Sequence, residues 1–161
     1  MKLILASDLI YLLKYWYDLT GIPKDNMNIG YVITAAKGAR DQSFFENVEN
    51  KIVENKYNFD WKFDNQGESL NDIIKRGQKV IDSLEEQHPK DTVAIVSHGI
   101  FIMVMTALIL LGKDWDKKTF RKLSWALKIS NGGISSFKYD PQTKYWTMTC
   151  FNDHGHLENE S

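Results

Sequence analysis

The chain has 161 residues, of which 43% are hydrophobic and 25% charged, with a formal net charge of -1. That is the size and balance of one folded domain spanning residues 1–161, which excludes a disordered chain. The near-zero charge supplies no long-range field of the kind that gathers nucleic acid or an anionic membrane.

In chain order, Lys2 to Ser7 reads as a short strand. Asp8 then caps a helix with Leu9, Leu12, Leu13, Trp16 and Leu19 on one stripe, and Gly21 and Pro23 stop it. This apolar start is broken at Ser7 and Asp8 and carries no basic region, so it does not read as a secretion signal. Ile29 to Thr34 is a second short strand. From Ala35 to Phe63 the pattern is mixed. Phe44, Phe45, Val48 and Ile52 suggest a helix, whereas Tyr57, Phe59, Trp61 and Phe63 alternate with polar residues, as in a strand or a loop pinned to the core.

Asp64 to Gly67 is a loop, and Ser69 with Asp72 makes a capping-box start. Leu70, Ile73, Ile74, Val80, Ile81 and Leu84 then hold one helical face to about Gln87, where Pro89 ends it. The β-branched run Thr92 to Ser97 is a strand that places His98 at its carboxyl end and turns at Gly99. The apolar segment Ile100 to Leu111, closed by Gly112, is too short to cross a bilayer, which takes about 20 residues, and reads as a buried helix.

Trp115 to Lys128 is basic and mixed, a helix running into an irregular segment, and Asn131-Gly132-Gly133 is a turn. Ile134 to Tyr139 and Tyr145 to Phe151 are two strands joined by Asp140-Pro141-Gln142-Thr143, with Trp146, Met148 and Cys150 alternating against Tyr145, Thr147 and Thr149. Residues 154–161 form a frayed polar end. Helix, strand and helix alternate as a parallel α/β fold requires. The lone Cys150 reads as a small buried hydrophobe, excludes an internal disulfide framework and fits a reducing, cytoplasmic setting.

In open α/β sheets the ligand crevice lies outside the carboxyl ends of the strands, where the next helix aims its free N–H groups. His98 has that address, although a lone histidine there is as often a packing residue. His88, His98, His154 and His156 show no metal-ligand spacing, so neither a metal nor a cofactor is expected. Phosphate-cradling glycine loops and a Gly-x-Ser-x-Gly elbow do not occur.

Taken together, Gly67-Glu68-Ser69, the helix with Arg76, Val-Ala-Ile-Val-Ser-His-Gly (93–99), the apolar helix, Asn-Gly-Gly-Ile-Ser (131–135) and the closing Trp-x-Met and Phe-Asn-Asp-x-x-His-Leu (151–157) resemble the histidine phosphatase superfamily, the phosphoglycerate-mutase-like proteins. The resemblance covers about Asp60 to Leu157. It implies a three-layer, doubly wound, mostly parallel α/β sheet with helices on both faces. One histidine of such a site is transiently phosphorylated, a second histidine and two arginines bind the phosphoryl group, and a carboxylate protonates the leaving oxygen. Imidazole is a competent nucleophile near neutral pH, and clustered cations stabilise the charge on the phosphoryl oxygens. His98 matches the second histidine, the phosphate contact, with Gly99 beside it.

The nucleophile's Arg-His-Gly motif occurs nowhere in the chain. If residues 1–5 are the family's first strand, Ala6-Ser7-Asp8 stands in its place. If Leu3 to Ile10 is instead the later strand that usually reads Ser-x-Leu-x-Arg-Ala, the first strand is missing and Tyr11 replaces the second arginine. The second alignment fits better, and the chain is then an N-terminally truncated or degenerate relative. Glu46, Glu49 and Glu54 are candidates for the general acid but fit a solvated helix face equally well. Arg40 is a phosphate contact or a surface arginine, and Glu68 is a charge that favours a helix N-terminus.

Two functions follow. One is a phosphomonoesterase or phosphomutase-like protein acting on a small phosphorylated compound, impaired by the absent nucleophile. The other is a non-catalytic relative that binds a phosphorylated ligand or a protein. The expected partners are a small phosphorylated substrate or inorganic phosphate, with no nucleic acid and no membrane. A sheet lacking a central strand would dimerise, fill the gap with Lys2 to Ser7, or fold poorly.

Overall fold

A computed structural model describes residues 1–6, 17, 21–23, 58–62 and 67–155, together with the backbone of 28–31. Its strands are β1 (Lys2–Ala6), β2 (Asn28–Tyr31), β3 (Thr92–Val96), β4 (Ile134–Asp140) and β5 (Tyr145–Asp153). Its helices are α1 (Leu70–Gln87), α2 (Gly99–Leu111) and α3 (Lys117–Ala126). The strands form one mixed sheet in the order β2-β3-β1-β4-β5. β3 is parallel to β2 and β1, whereas β4 is antiparallel to β1 and to β5. Four of the five therefore run the same way, and only β4 is reversed.

β1 lies at the centre, with Leu3 opposite Val93 on one side and Phe137 on the other. Both faces of β1 and β3 are buried, which is why each reads as an unbroken apolar run rather than an alternation. On one face Leu3, Leu5, Val93, Ile95 and Phe137 form the main core with Ile74, Ile81 and Leu84 of α1, with Phe101, Ile102, Met105 and Leu108 of α2, and with Phe120 of α3. On the other face Ile4, Ala6, Ala94, Val96 and Ile134 are buried, with Ile22 packed against them. The second helical layer expected there falls on residues 8–19, which lie outside the described residues except for the helical Tyr17. Gly21, at φ +71°, donates its N–H to Tyr17 O at 2.7 Å, the kind of glycine stop read from the sequence.

α1 starts where the capping box places it. Ser69 Oγ accepts the Asp72 N–H, and the Asp72 carboxylate accepts the Ser69 N–H in return. Its apolar stripe meets α2 so closely that a Cβ at Gly77 would come within 2.9 Å of Leu108 Cδ1. α2 is apolar on nearly every side, so it is buried nearly all round, with only its two ends showing Ile100 and Leu110 to solvent.

The last strand departs from the simple alternation read in the sequence. Phe137 faces Met148 and Tyr139 faces Trp146, but a register shift then places Cys150 opposite Ser136. The inserted residue moves Cys150 off the Trp146 face, and it is half-buried rather than a core residue. A second shift leads into Asn152, whose φ of 50° is unusual for a residue other than glycine.

Candidate functional site

The four co-directional strands end on one side of the molecule, at Ala6, Tyr31, Val96 and Asp153, and β4 enters there at Ile134. Ser97 continues the β1–β3 ladder one step further, donating its N–H to Ala6 O at 2.9 Å. His98 comes next as the N-cap of α2, in extended conformation. Serine, threonine, aspartate or asparagine would usually hold that position and cap the helix with a side-chain oxygen. His98 makes no side-chain capping bond and is exposed. The first N–H bonded within the helix is that of Ile102, to His98 O at 3.1 Å. The N–H groups of Gly99, Ile100 and Phe101 therefore point out of the positive end of α2, beside the imidazole.

Glu68 and Arg76 flank this corner from α1. Arg76 Nε donates to Glu68 Oε1 at 3.0 Å and Nη2 to Oε2 at 2.8 Å, and the guanidinium lies 4.3 Å from the centroid of the Phe101 ring in the first turn of α2. Glu68 is thus the partner of Arg76, not merely a charge near a helix end. Ile129 packs against Gly99, its Cβ 3.6 Å from where a Gly99 Cβ would stand.

The remaining candidates are dispersed. His88 caps the far end of α1 and pairs its Nδ1 with Asp91 Oδ2 at 2.9 Å, away from the site. His154 follows β5 at the same end of the sheet as His98, with Nδ1 2.9 Å from Asn152 O. Three strand spacings, about 14 Å, separate β5 from β3. Ser7, Asp8, Tyr11, Arg40, Glu46, Glu49, Glu54 and His156 lie outside the described residues. Among the described residues no group of three or more His, Cys, Asp or Glu side chains is arranged to hold a metal ion, and no helix is long and apolar enough to cross a membrane.

Asn152, which sequence reading passed over as one letter of a motif, joins the end of β5 to the turn before β4. Its Oδ1 accepts the Ser130 N–H at 2.8 Å, its Nδ2 donates to Ser130 Oγ at 3.2 Å, and its own N–H donates to Ser135 Oγ at 2.9 Å. The available signal was the pairing of a glycine-rich turn with an asparagine, a residue that tolerates left-handed backbone.

A mixed α/β sheet whose co-directional strands end beside a helix begun at His98 has the architecture of open α/β domains, in which ligand crevices lie at the strand ends. The sequence profile of the histidine phosphatase superfamily (branch 1) matches residues 36–154, about three-quarters of the chain, and the chain belongs to that family. The match begins earlier than the motifs alone suggested. Among solved structures, the fold is similar to phosphoserine phosphatase from Entamoeba histolytica in complex with 3-phosphoglyceric acid, at 18% identity over 97% of this chain and 98% of that one, with a TM-score of 0.62. It is also similar to the alpha-ribazole phosphatase from Shigella flexneri, at 14% identity over 95% and 96%, with a TM-score of 0.58. A mycobacterial glucosyl-3-phosphoglycerate phosphatase matches at 18% identity over 73% of this chain and 59% of that one, with a TM-score of 0.52. No curated protein matches in sequence.

Proposed function

We propose that the strand-end crevice binds the phosphoryl group of a small phosphorylated compound, with His98 and the α2 N-terminus as its contacts, and that phosphomonoester hydrolysis there is slow. The observation that carries this reading is the uncapped N-terminus of α2: an exposed imidazole beside three outward N–H groups at a positive helix end suits a phosphate dianion. Family membership and the phosphatase names of the structural neighbours support the same ligand class.

Slow turnover follows from what stands next to His98. β1 is the parallel neighbour of β3 on the side of the reversed strand, and it carries no histidine. It ends at Ala6, which the sequence continues with Ser7 and Asp8. With no imidazole on β1 to take the phosphoryl group, hydrolysis at His98 would use direct attack by water and lose the two-step route that a covalent intermediate provides. The same observation favours a second reading, a protein that binds a phosphorylated ligand and does not turn it over.

Steady-state hydrolysis of a generic aryl phosphate tests the first reading. Turnover above buffer that disappears in His98→Ala supports a slow enzyme. Phosphate binding without turnover supports the binding protein, and neither binding nor turnover contradicts both.

A further inference from the structure

We propose that Asn152 is a positioning residue for the phosphoryl site. By clamping the turn at 130–133 from the end of β5, it fixes the packing of Ile129 on Gly99, and thereby the N-terminus of α2 and the His98 imidazole. The phosphate-binding part of this proposal rests on the reading of His98 given above.

The clamp reaches across 22 residues of sequence and engages two of the three polar groups of Ser130, the N–H and the hydroxyl, while its carbonyl accepts the Gly133 N–H. A left-handed backbone at Asn152, φ 50°, aims the carboxamide into the turn, while the Asn152 N–H is held by Ser135 Oγ. The turn is shaped to receive it. A Cβ at Gly133 would stand 2.1 Å from Asn152 Oδ1 and 3.0 Å from Ser130 O, so only glycine leaves room for the carboxamide. Gly132, at φ +74°, lets the chain reverse at that point.

From Ser130 the path to the site is one residue at each step. Ile129 precedes Ser130 and packs on Gly99, the first residue of α2, and Gly99 follows His98. A turn freed from Asn152 would loosen the wall against which the uncapped end of α2 rests. That end has no side-chain cap of its own to hold it.

The test compares Asn152→Gly, which accepts the left-handed backbone but removes the carboxamide, with Ser130→Ala, which removes only the hydroxyl arm. Thr149→Ala is the control, because it deletes the hydrogen bonds of Thr149 to Ser136 in the same strand without touching the turn. Amide hydrogen exchange of Ile102, Met103 and Val104, the first hydrogen-bonded amides of α2, and the His98 ring signal are read by NMR in the free protein, and inorganic phosphate is then titrated. The proposal expects Asn152→Gly to speed exchange at Ile102, Met103 and Val104 by about tenfold over the control, shift the His98 signal and weaken phosphate binding several-fold. Ser130→Ala should do the same to a smaller degree. If Asn152→Gly lowers the melting temperature as Thr149→Ala does, yet leaves the His98 signal and exchange at 102–104 unchanged, Asn152 is a structural residue only and the proposal is overturned. If phosphate fails to move the wild-type His98 signal, the phosphoryl reading fails instead, while exchange and ring signal in the free protein still decide the role of Asn152.

Discussion

Arg76 and Glu68 are joined by two parallel hydrogen bonds, Nε to Oε1 at 3.0 Å and Nη2 to Oε2 at 2.8 Å, while the guanidinium sits over the Phe101 ring. The pair ties the start of α1 to the first turn of α2, and it occupies the Nε–Nη2 edge of the guanidinium, two of its five N–H donors. With side chains 26% and 41% exposed, its strength is tempered by solvent. We expect Arg76→Ala to cost about 1 kcal/mol, from the lost pair and the lost ring contact together. Arg76→Lys should recover little of it, because an ammonium cannot reproduce the planar fork. Urea unfolding measures the cost, and phosphate titration of the same variants should show unchanged affinity. A tenfold loss of affinity would make Arg76 a phosphate contact after all.

The capping box at the start of α1 carries a pH signature. The Lys62 ammonium, 2.8 Å from Asp72 Oδ2, is the largest influence on that carboxyl, followed by the Ser69 N–H and hydroxyl, and together they hold it well below its ordinary value of 3.8. The folded state therefore favours the charged form, so this contribution is present above about pH 4 and is lost as pH falls further. Stability of Asp72→Asn should depend less steeply on pH below about 4 than that of the wild type, as read from urea midpoints at stepped pH. Ser69→Ala, which removes a buried capping hydroxyl, should cost about 1 kcal/mol at neutral pH.

Gly77 tests the contact between α1 and α2. Alanine there gains about 1 kcal/mol of helix propensity, but its methyl group would lie 2.9 Å from Leu108 Cδ1 and 3.4 Å from Met105 Sδ. Overpacking of a buried contact costs about 1–3 kcal/mol, so Gly77→Ala should be destabilised by about 1 kcal/mol net. In a double-mutant cycle Leu108→Ala should cost less in the Gly77→Ala background than alone, because it removes the clashing group. Additive costs would place the strain elsewhere.

Sequence periodicity and caps mark local elements well here and spatial neighbours poorly. α1 was legible because Ser69, Asp72 and the stripe from Leu70 to Leu84 act within one helix. β3 and α2 were legible because a β-branched run, a glycine and a long apolar segment follow one another. The central place of β1 was one of three outcomes left open, with Lys2 to Ser7 filling a central gap, because the pairings of Leu3 with Val93 and with Phe137 depend on strand order, which no local pattern encodes. At the site, the position of His98 at the end of a strand could be read directly, and the family resemblance gave it a ligand class. The Glu68–Arg76 pair and the Asn152–Ser130 clamp could not be read, because each joins residues through geometry that motif order leaves open.

The central claim is that His98 and the uncapped end of α2 hold a phosphate. Isothermal calorimetry of inorganic phosphate against the wild type and His98→Ala, with unfolding curves recorded on both, tests it most directly. The account predicts saturable binding to the wild type and a loss of affinity of about tenfold or more in His98→Ala, as expected for removal of a hydrogen bond to a charged group, about 1.5–3 kcal/mol. Equal phosphate affinity in the two folded proteins, or no binding to either, would contradict it.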